Sequence, residues 1–389
     1  MPRRGREPAN CWSWPDLTQS PSLLVTLVGF LLLLGPLIVV HELGHYLVGR
    51  WCGVKADAFS VGFGKELFGF TDRRGTRWKL SAIPLGGYVQ FAGDMDPTSR
   101  PDDAKFAGLT PEEKAQTFNA QPLWRRAAIV AAGPLTNLLF AILIFAAFNL
   151  AFGKLVAPAV VDSFVPGSPA ASVGLLKGDR IRAVNGTPID DFTALRERVF
   201  PWPDTSFTLT IERGGAQFPV EVRSAAKVLK DRFGNESRVG MIGIMAARPR
   251  LAPVGPIEAV TLAGKQTWGV IRMLAVGIRQ IVTGERSISE LGGPIKTAKY
   301  SGEQLSLGWL AFVSFAAFIS INLAFINLLP IPALDGGHLA FYAAEAVRRR
   351  PLDARSQDWA YRTGLALVVG LMLFVTLNDI ASLLPRAWR

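Results

Sequence analysis

Residues 22–48 read SLLVTLVGFLLLLGPLIVVHELGHYLV, and this stretch decides the class of fold. From Ser22 to Val40 no charge interrupts the apolar run, which then continues through His41-Glu42-Leu43-Gly44-His45 to Val48. At 1.5 Å rise per residue, a helix of this length crosses the hydrocarbon core of a bilayer. A cleaved signal peptide is the competing reading, but the run is too long and no small-residue cleavage site follows it.

Three further apolar runs lie at about 127–152, 307–334 and 364–384, so four transmembrane helices are predicted. The short loop between the last two holds Arg348, Arg349, Arg350, Arg355 and Arg362, which reads as cytoplasmic. Residues 50–125 then fall on the cytoplasmic side, with 153–300 and both termini outside. Arg3, Arg4 and Arg6 on the outer tail disagree weakly with this orientation. The chain divides into a polar tail (1–21), a first span (22–48), a cytoplasmic-side region (49–125) and a second span (126–152). An outer domain (155–225), a connector (226–306), a third membrane segment (307–346), a cytoplasmic loop (347–362) and a fourth span (363–385) follow.

Composition agrees with a chain that is part membrane and part water-exposed: 49% hydrophobic and 19% charged over 389 residues. The net charge of +11 comes largely from residues flanking apolar segments, where they set orientation and meet anionic lipid. Nucleic-acid binding needs a concentrated basic face, and none is legible. Cys11 and Cys52 lie on opposite sides of the first span, so no disulfide framework is implied.

The outer segment alternates as a small α+β domain. Ser168-Pro169 is a helix start, Asn185-Gly186 a turn, and Gly214-Gly215 a hairpin signal between two alternating runs. Residues 255–303 mix Val, Ile, Leu and Trp268 with spaced Lys and Arg. They read equally as an amphipathic helix on the membrane or as a connector packed on the outer domain.

His41, Glu42 and His45 fit the His-Glu-x-x-His zinc pattern. Residues four apart share a helix face, so two imidazoles reach one metal while the glutamate between them serves as base towards water. Polar residues at the end of a span are costly, at about 2.5–3.5 kcal/mol for a charge near the centre, which favours function over snorkelling side chains. A third ligand is available in Asn327-Leu328-Leu329-Pro330-Ile331-Pro332-Ala333-Leu334-Asp335-Gly336-Gly337-His338. Asp335 ends an apolar run whose prolines and glycines break the helix, and broken backbone at membrane depth needs protein or water around it. A helix cap is the plain alternative for Asp335. His338, the remaining one of only three histidines, is a rival ligand and reads better as a neighbour of the site.

These two motifs resemble the site-2 protease family, and within it the bacterial regulator-of-sigma-E protease type. The likeness covers nearly the whole chain. Gly62-Phe63-Gly64 and Pro84-Leu85-Gly86-Gly87-Tyr88-Val89 resemble the family's membrane-associated β-hairpin, and Gly133-Pro134-Leu135-Thr136-Asn137 its second-helix motif. The outer segment resembles a PDZ domain, single here where larger members carry two; the tail before the first span matches nothing.

The resemblance implies a polytopic α-helical protein of the bacterial inner membrane, with a membrane-associated β-hairpin and one extracytoplasmic PDZ domain. One zinc ion per chain would be bound by His41, His45 and Asp335, with Glu42 as catalytic base and Asn327 and Asn322 engaging substrate. Expected partners are single-span membrane-protein substrates, the lipid bilayer and protein tails at the PDZ groove. The implied reaction is intramembrane peptide hydrolysis in regulated proteolysis, such as anti-sigma-factor or signal-peptide-remnant processing. A silent PDZ scaffold would need no zinc triad, and a transporter would be expected to show inverted repeats.

Overall fold

The structure is a computed structural model that describes residues 21–93, 110–230, 236–246, 250–285, 292–350 and 352–383. Residues 1–20 of the expected polar tail, with Cys11, lie outside them. Helix α1 spans Leu23–Trp51, and the Ser22 hydroxyl caps it by accepting the Val25 amide. Strands β1 (Ala56–Thr71) and β2 (Arg77–Phe91) follow, then the short α2 (Pro111–Ala115) and α3 (Leu123–Phe152).

Next come β3 (Lys154–Val156), β4 (Val161–Phe164), α4 (Pro169–Ser172), β5 (Arg180–Val184), β6 (Thr187–Pro188) and α5 (Phe192–Val199). The β-rich part continues through β7 (Ser206–Arg213), β8 (Ala216–Arg223), β9 (Ala225–Lys230), β10 (Glu236–Met241), β11 (Ile244–Ala246) and β12 (Arg250–Ala252). It is followed by α6 (Pro256–Val282), α7 (Pro294–Ser306), α8 (Trp309–Asn327), α9 (Asp335–Arg348) and α10 (Ala354–Leu383).

Among the described residues, four helices are long and apolar enough to cross a membrane: Leu23–Trp51, Leu123–Phe152, Trp309–Asn327 and Arg355–Ala381. The expected four spans are therefore present, in a multi-pass membrane protein. Large apolar side chains such as Leu24, Leu31, Leu143 and Leu373 stand on exposed surfaces, which suits helices solvated by lipid.

β1 and β2 pair antiparallel, and the long strands bend. Ala58–Val61 pairs with Gly87–Gln90 on one side and with Arg77–Leu80 on the other, while Phe68–Thr71 pairs with Arg77–Leu80. Gly87–Phe91 is thus an edge among the described pairings. Phe59, Tyr46 and Trp78 form the aromatic contact that fastens this sheet to α1, with Phe59 and Trp78 stacked at 4.5 Å.

The β-rich unit has its own core of Ile181, Leu209, Ile211 and Val222 on the sheet β6-β5-β7-β8, covered by Leu195 and Val199 of α5. This core also contains Ile242 and Ile244, and β11 pairs with β4. The unit therefore runs past the 155–225 expected of it, because a later strand closes its core. β12 pairs with β3, which brings the unit's entry and exit together at the membrane end. Within the unit Asp179 is buried, and its two hydrogen bonds from Arg213 hold its carboxyl below the usual carboxylate range.

The expected connector, 226–306, begins with strands β9 to β12 and continues as two helices. α6 packs Val270, Ile271 and Leu274 against Ala141 of α3 and Ala317 of α8, and Gln280 donates to the Pro201 carbonyl of the β-rich unit at 2.6 Å. α7 is tied to α10, where buried Asp379 accepts the Gly293 and Lys296 amides.

Candidate active site

The His-Glu-x-x-His turn sits in the last third of α1, where α3, β2 and the start of α9 converge. The four-residue period brings both imidazoles to one face, with His41 Nε2 3.2 Å from His45 Nε2. Asp335 arrives from far along the chain. α8 ends at Asn327, the backbone turns through Pro330 and Pro332, and Ala333 adopts the left-handed φ of 83° before α9 begins at Asp335. A non-glycine residue in that conformation is strained, and such strain collects where a side chain must be aimed. Asp335 Oδ2 lies 3.2 Å from His41 Nε2 and 3.6 Å from His45 Nε2. It faces the histidines across the site, so the plain helix-cap reading does not describe it.

The donors fit zinc. Bonds of about 2.0–2.2 Å at tetrahedral angles separate donor atoms by about 3.3–3.6 Å. The observed separations of 3.2, 3.2 and 3.6 Å match that spacing. Moreover, His45 Nδ1 donates to the Ile129 carbonyl at 2.8 Å, which leaves Nε2 as the free lone pair facing the other donors. Among the described residues, His41, His45 and Asp335 form the one cluster able to hold a metal ion.

Two further contacts shape this geometry. The first is how closely α3 approaches: a Cβ on Gly133 would overlap His45 Nε2, and one on Gly44 would overlap Thr136 Oγ1 and the Ala132 carbonyl. Small residues at such crossings let helix backbones meet in a membrane, and the run Ala131-Ala132-Gly133 was the available signal. The second is β2, whose Gly87–Phe91 stretch lines the same cavity as Glu42. Gly87 lies so near that a Cβ there would stand 3.0 Å from Glu42 Cγ.

These groups face a cavity of about 560 Å³, lined by His41, Glu42, His45 and Asp335 together with Gly87–Phe91 of β2 and Phe63. His338 also lines it, outside the three-donor cluster. Asn322 and Asn327 lie on α8 and are absent from the cavity lining among the described residues.

Fold and donor set together define a membrane-embedded metallohydrolase. Residues 29–371 match the profile of peptidase family M50, and the chain belongs to this site-2 protease family. It is 45% identical to Putative zinc metalloprotease Atu1380 of Agrobacterium fabrum, covering 92% of this chain and 96% of that one. It is 44% identical to Putative zinc metalloprotease R01501 of Rhizobium meliloti, over 92% and 97% of the two chains. With Metalloprotease MmpA of Caulobacter vibrioides the identity is 34%, over 92% and 96%. The chain is accordingly a zinc metalloprotease, a hydrolase of peptide bonds.

Proposed function

We propose that this metalloprotease is an intramembrane endopeptidase that cleaves transmembrane segments of single-span membrane proteins. The setting is regulated proteolysis in the bacterial inner membrane, such as anti-sigma-factor or signal-peptide-remnant processing. The observation that carries this reading is the position of the donor cluster and Glu42, on α1 and at the α8–α9 break, beside an open strand edge. On this reading a peptide bond reaches Glu42 at membrane depth.

His41, His45 and Asp335 hold one zinc ion, which when bound supplies Lewis acidity to the scissile carbonyl and the attacking water. Glu42 takes the proton of that water and returns it to the leaving amine, with Gly87 of β2 packed close to its side chain. The new C–O bond forms from water and the C–N bond breaks, so no acyl-enzyme is involved. Asn327 and Asn322, which lie on α8 outside the cavity lining, would engage the substrate chain as it enters.

A helical substrate has its carbonyls tied up in its own hydrogen bonds and must unwind. The β1–β2 hairpin, associated with the membrane on the cytoplasmic side, offers Gly87–Phe91 as an edge on which the unwound segment adds as a strand. The decisive experiment reconstitutes the protein in vesicles with a single-span substrate and maps the products by mass spectrometry. New termini inside the span, lost with a zinc chelator and restored by zinc, are expected. Cuts confined to water-exposed loops would overturn the proposal.

Asp335→Ala is expected to lower both zinc content and activity, while His338→Ala retains the metal. The reverse result, measured as zinc per chain, would transfer the ligand role to His338.

The β-rich unit is read as an extracytoplasmic PDZ domain that regulates access and takes no part in the chemistry. A groove of about 270 Å³ between α5 and Val239–Ile244 suits an extended protein tail. Because β3 and β12 are paired, residues 158–246 can be excised there and replaced by a flexible bridge. That deletion is expected to retain cleavage of a short substrate and to relax discrimination against long ones. Loss of short-substrate cleavage in a folded, zinc-loaded deletion protein would make the domain part of the machinery.

A further inference from the structure

A metal-binding imidazole must present a bare nitrogen, so its other nitrogen must carry the proton and give it to an acceptor. For His45 that acceptor is the main-chain carbonyl of Ile129, which can only accept. For His41 the neighbour is a side chain: the Asn137 amide nitrogen Nδ2 lies 3.4 Å from His41 Nδ1. Asn137 is fully buried, and its backbone carbonyl accepts the Ser320 hydroxyl at 2.8 Å, which fixes this turn of α3 against α8.

With Nδ2 towards the ring, the amide donates to Nδ1 and forces the His41 proton onto Nε2, the atom that faces His45 and Asp335. That tautomer cannot bind a metal through Nε2. The carboxamide is nearly symmetric in shape, and half a turn exchanges its oxygen and nitrogen. Asn137 Oδ1 has no hydrogen-bond partner among the described residues, so no bond to that oxygen holds the present orientation. After the turn, Oδ1 accepts from His41 Nδ1–H and Nε2 is bare, as it already is in His45.

We propose that Asn137 is the positioning residue for His41: its side-chain oxygen sets the ring's tautomer and aim, as the Ile129 carbonyl does for His45. α3 thereby orients both imidazoles without itself supplying a ligand. This inference rests on the zinc reading of His41, His45 and Asp335, and the test separates the two.

Full-length protein in detergent is loaded with zinc, and its release to a chromogenic chelator is timed for wild type, Asn137→Leu and Asn137→Asp. Thermal unfolding of the metal-free forms reports the fold. Wild type should carry one zinc; failure there would remove the underlying reading and not this inference alone. Asn137→Leu should release zinc about 10–100-fold faster, the usual loss when a ligand's outer partner is removed. Asn137→Asp, which can only accept from the ring, should release zinc no faster than wild type. A merely structural role predicts that a buried carboxylate does at least as much harm as leucine. Wild-type release from Asn137→Leu, or fast release from Asn137→Asp, would overturn the assignment. Should Asn137→Leu fail to fold, the Asn137→Asp rate decides by itself.

Discussion

Glu42→Gln should leave one zinc per chain and lower the cleavage rate by at least about 10²-fold, within the range lost with a general acid–base group. Glutamine has nearly the volume of glutamate and keeps the Cγ against which Gly87 packs, so the packing of β2 against α1 survives. What it cannot do is take a proton from water. His41, His45 and Asp335 are untouched, and the three-donor cluster remains. Zinc per chain and single-turnover cleavage of a model span, measured on the same preparation, separate the two properties. Undiminished cleavage by the variant would put the base elsewhere in the cavity.

Gly133→Ala should strip or loosen the zinc without unfolding the protein. The added methyl would enter the space of His45 Nε2, and α3 cannot easily withdraw, because Gly44 meets Thr136 and Ala132 in the same contact. The ring must swing, which breaks its bond to the Ile129 carbonyl and its alignment with Asp335. Misplacement of reacting groups by about 1 Å costs roughly 10²-fold, so activity should fall by at least that much. The helix itself gains, since alanine is favoured over glycine by about 1 kcal/mol in a helix interior. Faster zinc release with an unchanged or raised melting temperature of the metal-free protein would therefore isolate the steric effect. Wild-type zinc retention and activity would show that the helix contact is looser than the structure has it.

Both variants probe the same arrangement from opposite sides. Glu42 is a residue whose role its neighbours in sequence announce, whereas Gly133 matters only because of what lies across the helix crossing. The outer unit follows the same division. Its turns at Asn185-Gly186 and Gly214-Gly215 are local and readable, since positive φ at Asn185, Gly186, Gly214 and Gly215 suits the residue types found there. Its true extent was not readable, because Ile242 and Ile244 join the core only after the separate β9–β10 pair, and β11 pairs with the distant β4.

By itself the sequence determined the four spans, the helical face that unites His41 with His45, and the presence of an acidic third donor at a broken helix. Each depends on residues close in the chain: apolar length sets the spans, a four-residue spacing sets the face, and prolines and glycines end a helix wherever it lies. Only the tertiary structure decided that Asp335 closes on the two histidines, that β2 lays an open edge beside Glu42, and that α3 brings Ile129 and Asn137 up to the two imidazoles. These are contacts between segments remote in sequence, set by how surfaces of definite shape fit together. Backbone carbonyls, a missing Cβ and the rotation of an amide leave no periodic trace along the chain.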